Sequence, residues 1–246
     1  MREFHARKVS FWSRCSQTKR EAGFGIMLVW NRHRADSSAV KARLLEHPAV
    51  WRGAGVAQRS GLPTGFAALD EQLPGKGWPR SGLIEILVPR FGSGELSLLV
   101  PALAALTRAA AARWCVWVAP PLMPFAPALA SQGIVLERVA VVSGAHSLWA
   151  FEQALGSGAC DAALAWARQP RSREIRRLQL AAEHGRTLGV LFRPRGAVRQ
   201  PSAAVLRLGL EPTGAGVRVT LLKGRSVHRG TVDLLWPGDL SRCART

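Results

Sequence analysis

The sequence predicts an α/β protein with a mostly parallel sheet flanked by helices and an antiparallel hairpin on its C-terminal side. Short apolar runs alternate with longer segments of helical pattern, which is typical of parallel strands joined through helices. After Pro201 the pattern changes to two apolar runs around a Pro-Thr-Gly-Ala-Gly turn, which is typical of a hairpin.

The strands are predicted from apolar runs, because strands covered on both faces are apolar throughout. The helices are predicted from apolar residues at helical spacing. The predicted parallel strands are residues 84–88, 114–118, 139–142, 162–166 and 189–192. The predicted helices are residues 96–112, 124–132, 147–155 and 172–184, and the hairpin strands are 205–210 and 217–222.

The chain is predicted to divide into four segments. Residues 1–39 are basic and lack periodicity, so we expect a disordered extension, with a true start at Met27 as one explanation and a nucleic-acid-binding arm as the alternative. Residues 40–61 are predicted to form a short helix and a linker, and residues 62–236 the core. Residues 237–246 are expected to form a mobile tail.

Composition excludes several classes of protein. The chain has 246 residues, 34 Lys plus Arg, 16 Asp plus Glu and a formal charge of +18, which favours polyanionic or acidic partners. It has no apolar run of the ~20 residues that a membrane span needs. Its four cysteines lack metal-ligand spacing, so neither a zinc site nor a disulfide framework is expected. Since no compact apolar signal core is present, we predict a cytoplasmic location.

The sequence Gly92-Ser93-Gly94-Glu95-Leu96 follows the first predicted strand, in the position of a phosphate-binding loop. A working loop carries Lys and then Ser or Thr after its last Gly, because these residues bind the terminal phosphates and Mg²⁺. Here Glu95 and Leu96 stand there. A unit charge pair 4 Å apart is worth about 4 kcal/mol at an effective dielectric constant of 20, so Glu95 should repel a triphosphate. We expect no cofactor, no metal ion and no catalytic residue.

The segment 62–70 (Leu-Pro-Thr-Gly-Phe-Ala-Ala-Leu-Asp) and the glycine-rich turn 75–77 resemble the beginning of a RecA-family ATPase core. The resemblance implies a RecA-like fold. The functional positions of that family are replaced, however: no carboxylate follows the second strand, Trp166 stands in place of the Walker B Asp, and Arg193-Pro194 replace the Asn-Gln pair. Asp161 lies at the other end of its strand. We therefore expect a pseudo-ATPase, with a residual ATPase using other ligands as an alternative.

More narrowly, the sequence resembles the ImuA family, RecA-like accessory proteins of bacterial mutagenesis cassettes. The matching segments are 47–53, the Leu-Pro-Thr-Gly sequence, 92–96, 193–195 and 199–202. The resemblance implies a non-catalytic adaptor in damage-induced (SOS) translesion DNA synthesis, with ImuB and an error-prone DnaE-type polymerase as partners. The alternative is a direct regulator of RecA or its filament in recombination, without a polymerase role.

Two groups of side chains are candidates for contact with a partner. Arginines suit phosphate or carboxylate contact because the guanidinium binds oxygens bidentately, and solvated surface is the alternative. The candidate arginines are Arg168, Arg171, Arg173, Arg176, Arg177, Arg193, Arg195 and Arg199. Trp51, Trp78 and Trp236 flank loops and are candidate partner anchors, whereas Trp114, Trp117 and Trp166 lie in predicted strands and are expected in the core.

Overall fold

The computed structural model describes residues 60–224 and 230–236. The predictions for residues 1–39, the helix within 40–61, the segment 47–53, Trp51 and the tail 237–246 lie outside the described residues. The described part forms one mixed α/β unit built on an eight-stranded sheet.

The strands are β1 Gly82–Val88, β2 Trp114–Val118, β3 Val139–Val142, β4 Cys160–Trp166, β5 Leu188–Pro194, β6 Leu206–Pro212, β7 Gly216–Lys223 and β8 Thr231–Leu235. The α-helices are α1 Ala67–Gln72, α2 Val100–Arg108, α3 Ala126–Ser131, α4 Ser147–Gly156 and α5 Ser172–His184. Short 3₁₀ helices cover Leu136–Arg138 and Arg195–Arg199.

The sheet has the strand order β3-β2-β4-β5-β1-β6-β7-β8. The six strands from β3 to β6 run parallel, and β7 and β8 are antiparallel to their neighbours. The prediction of a mostly parallel sheet with helices and a C-terminal hairpin is confirmed. The hairpin continues into β8, which the sequence analysis did not predict.

The predicted helix boundaries differ most from the structure at the two ends of α2. The helix predicted over residues 96–112 begins only at Val100, because residues 95–99 form turns that follow the glycine loop. It ends at Arg108, after which the backbone of Ala109 is extended. Helix α1 was not predicted, since its six residues are too few to show a helical repeat.

Helices cover both faces of the sheet. On one face α4 and α5 bury Phe151 and Leu178 against Leu83 of β1. On the other face α2 buries Leu103 in a larger cluster that includes Trp117. Within the described ranges, no helix is long and apolar enough to cross a membrane.

The tryptophans are distributed differently from the prediction. Trp117 and Trp166 are buried, as expected. Trp78 is also buried, so its role as a partner anchor is wrong. Trp114 is 45% exposed because it is the first residue of β2, so its placement in the core is wrong as well. Trp236 is half-buried and packs edge-on against Phe66.

Candidate functional site

The loops that follow the parallel strands lie together at one edge of the sheet, here called the carboxyl edge. Binding sites of open α/β sheets gather there, because successive loops converge on the same side. Along this edge the loop after β2 and the end of β3 carry exposed apolar residues, the segments after β4 and β5 carry arginines, and the glycine loop follows β1.

The apolar part of the edge, here called the apolar rim, comprises Leu122, Met123, Phe125, Val141 and Val142. The side chains of the first three are between 70% and 75% exposed, and both valines lie open on β3. The Ala119 amide donates to the Val142 carbonyl over 2.8 Å, which joins the loop to the strand end. Exposed large apolar side chains grouped at one edge of a protein are a candidate interaction site.

The sequence of the β2–α3 loop explains why Leu122, Met123 and Phe125 are exposed. Residues 119–125 contain Pro120, Pro121 and Pro124, which fix three backbone φ angles. Ala119 adopts a left-handed φ of 50°, which turns the chain sharply away from β2. β3 lies at the end of the sheet and pairs with β2 alone among the described strands, so the rim has an open strand edge beside it.

The glycine loop after β1 is filled by one of its own side chains. The Glu95 carboxyl is only 4% exposed. Its Oε1 accepts hydrogen bonds from the Gly92 amide at 2.8 Å and from the Trp166 indole at 3.1 Å. Trp166 in turn stacks on Phe192 with 4.8 Å between ring centroids. The sequence analysis expected Glu95 to repel phosphate from its position after the last Gly, whereas the structure places the carboxylate inside the loop.

One residue of the apolar rim, Leu122, lies close to the glycine loop. A Cβ atom built on Gly92 would lie 3.6 Å from Cδ1 of Leu122, which is van der Waals contact. A side chain larger than hydrogen at Gly92 would therefore touch Leu122.

The arginines of residues 168–177 form an exposed group, here called the basic stretch: Arg168, Arg171, Arg173, Arg176 and Arg177. The Arg168 guanidinium lies 5.5 Å from the centroid of the Phe91 ring, in a cation–π contact. Arg177 binds Glu152 through both carboxylate oxygens. Within the described residues, Arg173 and Arg176 make no ion pair and are available to a partner.

The candidate arginines in β5 and in the segment after it are of two kinds. Arg195 and Arg199 are exposed, and Arg195 pairs with Glu211. Contact of the exposed arginines with DNA or an acidic partner stays a prediction. Arg193 is fully buried, so its placement on a contact surface is wrong.

Arg193 can be buried because it pairs with the buried carboxylate of Glu85. β5 and β6 flank β1, and this brings Arg193 and Arg207 to the fully buried Glu85. Nη1 of Arg193 lies 2.9 Å from Oε1 of Glu85, and Nε of Arg207 lies 2.6 Å from Oε2. We call Glu85, Arg193 and Arg207 the buried triad. Gln200 accepts a further hydrogen bond from Arg193.

Three observations describe the cysteine and carboxylate side chains of the described residues. In this part of the chain, no group of three His, Cys, Asp or Glu side chains is placed to hold a metal ion. Burial raises the pKa of the Cys115 thiol to about 12, so it stays protonated and poorly nucleophilic at neutral pH. Asp161 lies near the start of β4, where it binds the Arg113 guanidinium at 2.8 Å, far from the carboxyl edge.

Comparison with known proteins assigns the family. The family model of the cell division inhibitor SulA matches residues 89–189. The cell division inhibitor SulA of Edwardsiella piscicida is 31% identical over 119 residues, which cover 47% of this chain and 70% of that protein. This chain belongs to the SulA family. SulA of Photorhabdus laumondii is 31% identical over 102 residues, which cover 40% of this chain and 58% of that protein. The chain thus spans little more than half of the Photorhabdus SulA.

The solved structure of SulA from Pseudomonas aeruginosa is also similar to part of this chain. It is 24% identical, with a TM-score of 0.39, and the match covers 45% of this chain and 97% of that protein.

The SulA matches correct the resemblance to the ImuA family. Roles as an adaptor for ImuB and a DnaE-type polymerase, in translesion synthesis and mutagenesis, as a RecA regulator or as a pseudo-ATPase are therefore wrong. The resemblance relied on a strand, a glycine turn and a few short segments. The glycine loop at residues 92–96 lies within the SulA match at residues 89–189, whereas the segment 62–70 and the glycine-rich turn 75–77 lie outside it.

The apolar rim is the feature that the sequence analysis missed. Its five residues and the basic stretch both lie inside the SulA match. Leu122, Met123 and Phe125 stand between prolines in a segment predicted as a loop and a helix start, where apolar side chains lack a strand or helix to bury them. That combination is a signal that could have indicated an exposed apolar loop.

A change in the basic stretch tests whether it contacts a partner. Replacing Arg173 and Arg176 by Ala should weaken binding to an acidic partner by about 3- to 10-fold at low salt, because charges at the periphery of an interface mainly raise the association rate. The effect should shrink as salt rises, since exposed charges are screened. Association rates measured over a salt titration check this, with Arg186→Ala as the control at an exposed arginine near the opposite edge. If the association rate of the variant depended on salt concentration as steeply as that of the wild type, the two arginines would be solvated surface residues.

Proposed function

We propose that this protein is a non-catalytic cell division inhibitor of the SOS response that binds the division protein FtsZ through the carboxyl edge of its sheet. The name of the relatives, cell division inhibitor, supports the activity, and FtsZ is the partner that the SulA family indicates. The observation that carries the proposal is the apolar rim, which lies within residues 89–189.

The chemistry of the edge suits a protein partner. Protein interfaces combine an apolar centre with arginine-rich polar surroundings. The rim supplies the apolar centre, and the basic stretch follows β4, the strand next to β2. An inhibitor that works by occupying a surface needs binding groups alone, which agrees with the expectation that this chain is not an enzyme.

The proposal also includes the fold family of the core and the location of the protein in the cell. The strand order, with the glycine loop between β1 and α2, supports a RecA-like arrangement of the core. A cytoplasmic location, expected from the sequence, is also part of the proposal.

The direct test uses the full chain and purified FtsZ. We expect saturable binding with a dissociation constant of about 10 µM or below, and a loss of GTP-dependent FtsZ polymers from the sedimented fraction. In cells, production of the chain should give long undivided filaments. Bovine serum albumin at the same concentration controls for crowding and weak contacts in the sedimentation assay. Absence of binding at about 100 µM, together with normal division, would contradict the proposal.

A further inference from the structure

The glycine loop after β1 has the backbone of an anion-binding site. Gly92 and Gly94 have φ angles of +81° and +92°, which only glycine adopts at low cost. Successive backbone amides in such turns converge on a common point and bind anions. The Gly92 amide does point at an anion, and that anion is the Glu95 carboxylate at 2.8 Å.

The environment of Glu95 indicates a ligand position rather than ordinary packing. Its Oε1 accepts two hydrogen bonds, one from Gly92 and one from Trp166, whereas its buried Oε2 has no hydrogen-bond partner. A buried carboxylate oxygen without a partner costs free energy. Among the described ion pairs, none involves Glu95, so the polar contacts that the structure gives its carboxyl group are the Gly92 amide and the Trp166 indole.

We propose that Glu95 is an internal ligand: its carboxylate occupies an anion site in the loop, and removing it opens that site to small phosphate anions. In the wild-type protein the loop is therefore closed to phosphate compounds and kept in one conformation by its own side chain. This inference goes beyond the proposed function, and its test uses no division protein, so the two can fail separately.

Glu95→Ala tests the proposal with inorganic pyrophosphate as the probe. The vacated site keeps the Gly92 amide and the Trp166 indole as donors, and Arg168 lies over Phe91 beside the loop. We expect Glu95→Ala to bind pyrophosphate at least about 10-fold more tightly than the wild type by calorimetry, a change of about 1.4 kcal/mol. Glu71→Ala is the matched control, because it removes an exposed carboxylate from α1 and changes the net charge equally.

Glu95→Gln separates occupancy of the site from its charge. The amide oxygen of Gln can still accept from Gly92 and Trp166, so the loop should stay filled and pyrophosphate affinity should rise less than in Glu95→Ala. An equal rise in the two variants would show that charge alone excludes the anion and would overturn the proposal. The proposal would also be overturned if a folded Glu95→Ala variant bound pyrophosphate with an affinity within about 2-fold of that of the Glu71→Ala control.

Amide exchange in the wild type tests the same proposal without a variant, in case Glu95→Ala fails to fold. The Gly92 amide should exchange slowly in buffer that contains no phosphate, and adding pyrophosphate should leave its rate unchanged. Exchange at the rate of an unprotected loop amide, or protection that appears only with pyrophosphate, would overturn the proposal.

Discussion

Glu85→Ala should destabilise the protein by about 3–5 kcal/mol or prevent it from folding, because two buried guanidinium groups would lose their counter-charge. Arg193 is fully buried and Arg207 nearly so, and the carboxylate of Glu85 lies between them. The remaining partners, the Gln200 side chain and carbonyl oxygens of residues 197, 198 and 200, carry no formal charge. Urea denaturation followed by circular dichroism measures the change.

The exposed pair of Arg195 and Glu211 provides the matched control. Glu211→Ala should change the free energy of unfolding by less than about 1 kcal/mol, since exposed ion pairs contribute little. Replacing the whole triad by apolar residues, Glu85→Leu with Arg193→Met and Arg207→Met, should recover most of the stability lost in Glu85→Ala. A Glu85→Ala protein as stable as Glu211→Ala would show that the triad charges are not desolvated as described.

Leu122→Asp combined with Phe125→Asp should lower affinity for FtsZ by at least about 100-fold and abolish division arrest, because charges would replace two apolar anchors of the proposed interface. The melting temperature should stay within about 2 °C of the wild type, since both side chains are mostly exposed in the unbound protein. Binding by interferometry and cell length by microscopy are the measurements.

Trp149→Asp on α4 is the control for this change. Trp149 is 62% exposed and borders a cleft of about 170 Å³ beside Arg177 and Glu152, in a layer of helices rather than in the rim. Its replacement should leave FtsZ binding within about 2-fold of the wild type. If Trp149→Asp abolished binding and the rim variant did not, the interface would lie on the α4–α5 face.

Apolar runs were sufficient to predict β1, β2, β4 and β5, because most of their residues are buried. β3 was predicted in the same way although it is partly exposed. β6 was predicted as a hairpin strand, and the structure also pairs it parallel with β1. Helix α1 and strand β8 were not predictable in the same way, since their side chains are only partly buried. The end of α2 depends on the extended backbone of Ala109, and the pattern of an alanine-rich segment carries no signal for that.

Within the candidate site, the glycine loop was predictable in place but not in detail, whereas the apolar rim was not predicted. Motif spacing located the glycine loop, yet the inward turn of Glu95 depends on a hydrogen bond to Trp166, 71 residues further along the chain. Arg193 was predicted to be a surface cation because its partner Glu85 is 108 residues away along the chain and meets it only across the sheet. Local sequence cannot distinguish a buried arginine from an exposed one when the counter-charge comes from a distant strand.

The three prolines of the β2–α3 loop have a consequence for the kinetics of association. A segment whose φ angles are fixed before encounter loses little conformational freedom when it is bound. The apolar rim should therefore dock in a single kinetic phase, at a rate set by diffusion and charge rather than by loop ordering. Variants of the rim would then differ from one another mainly in how long the complex persists, and glycine in place of Pro121 would slow its formation.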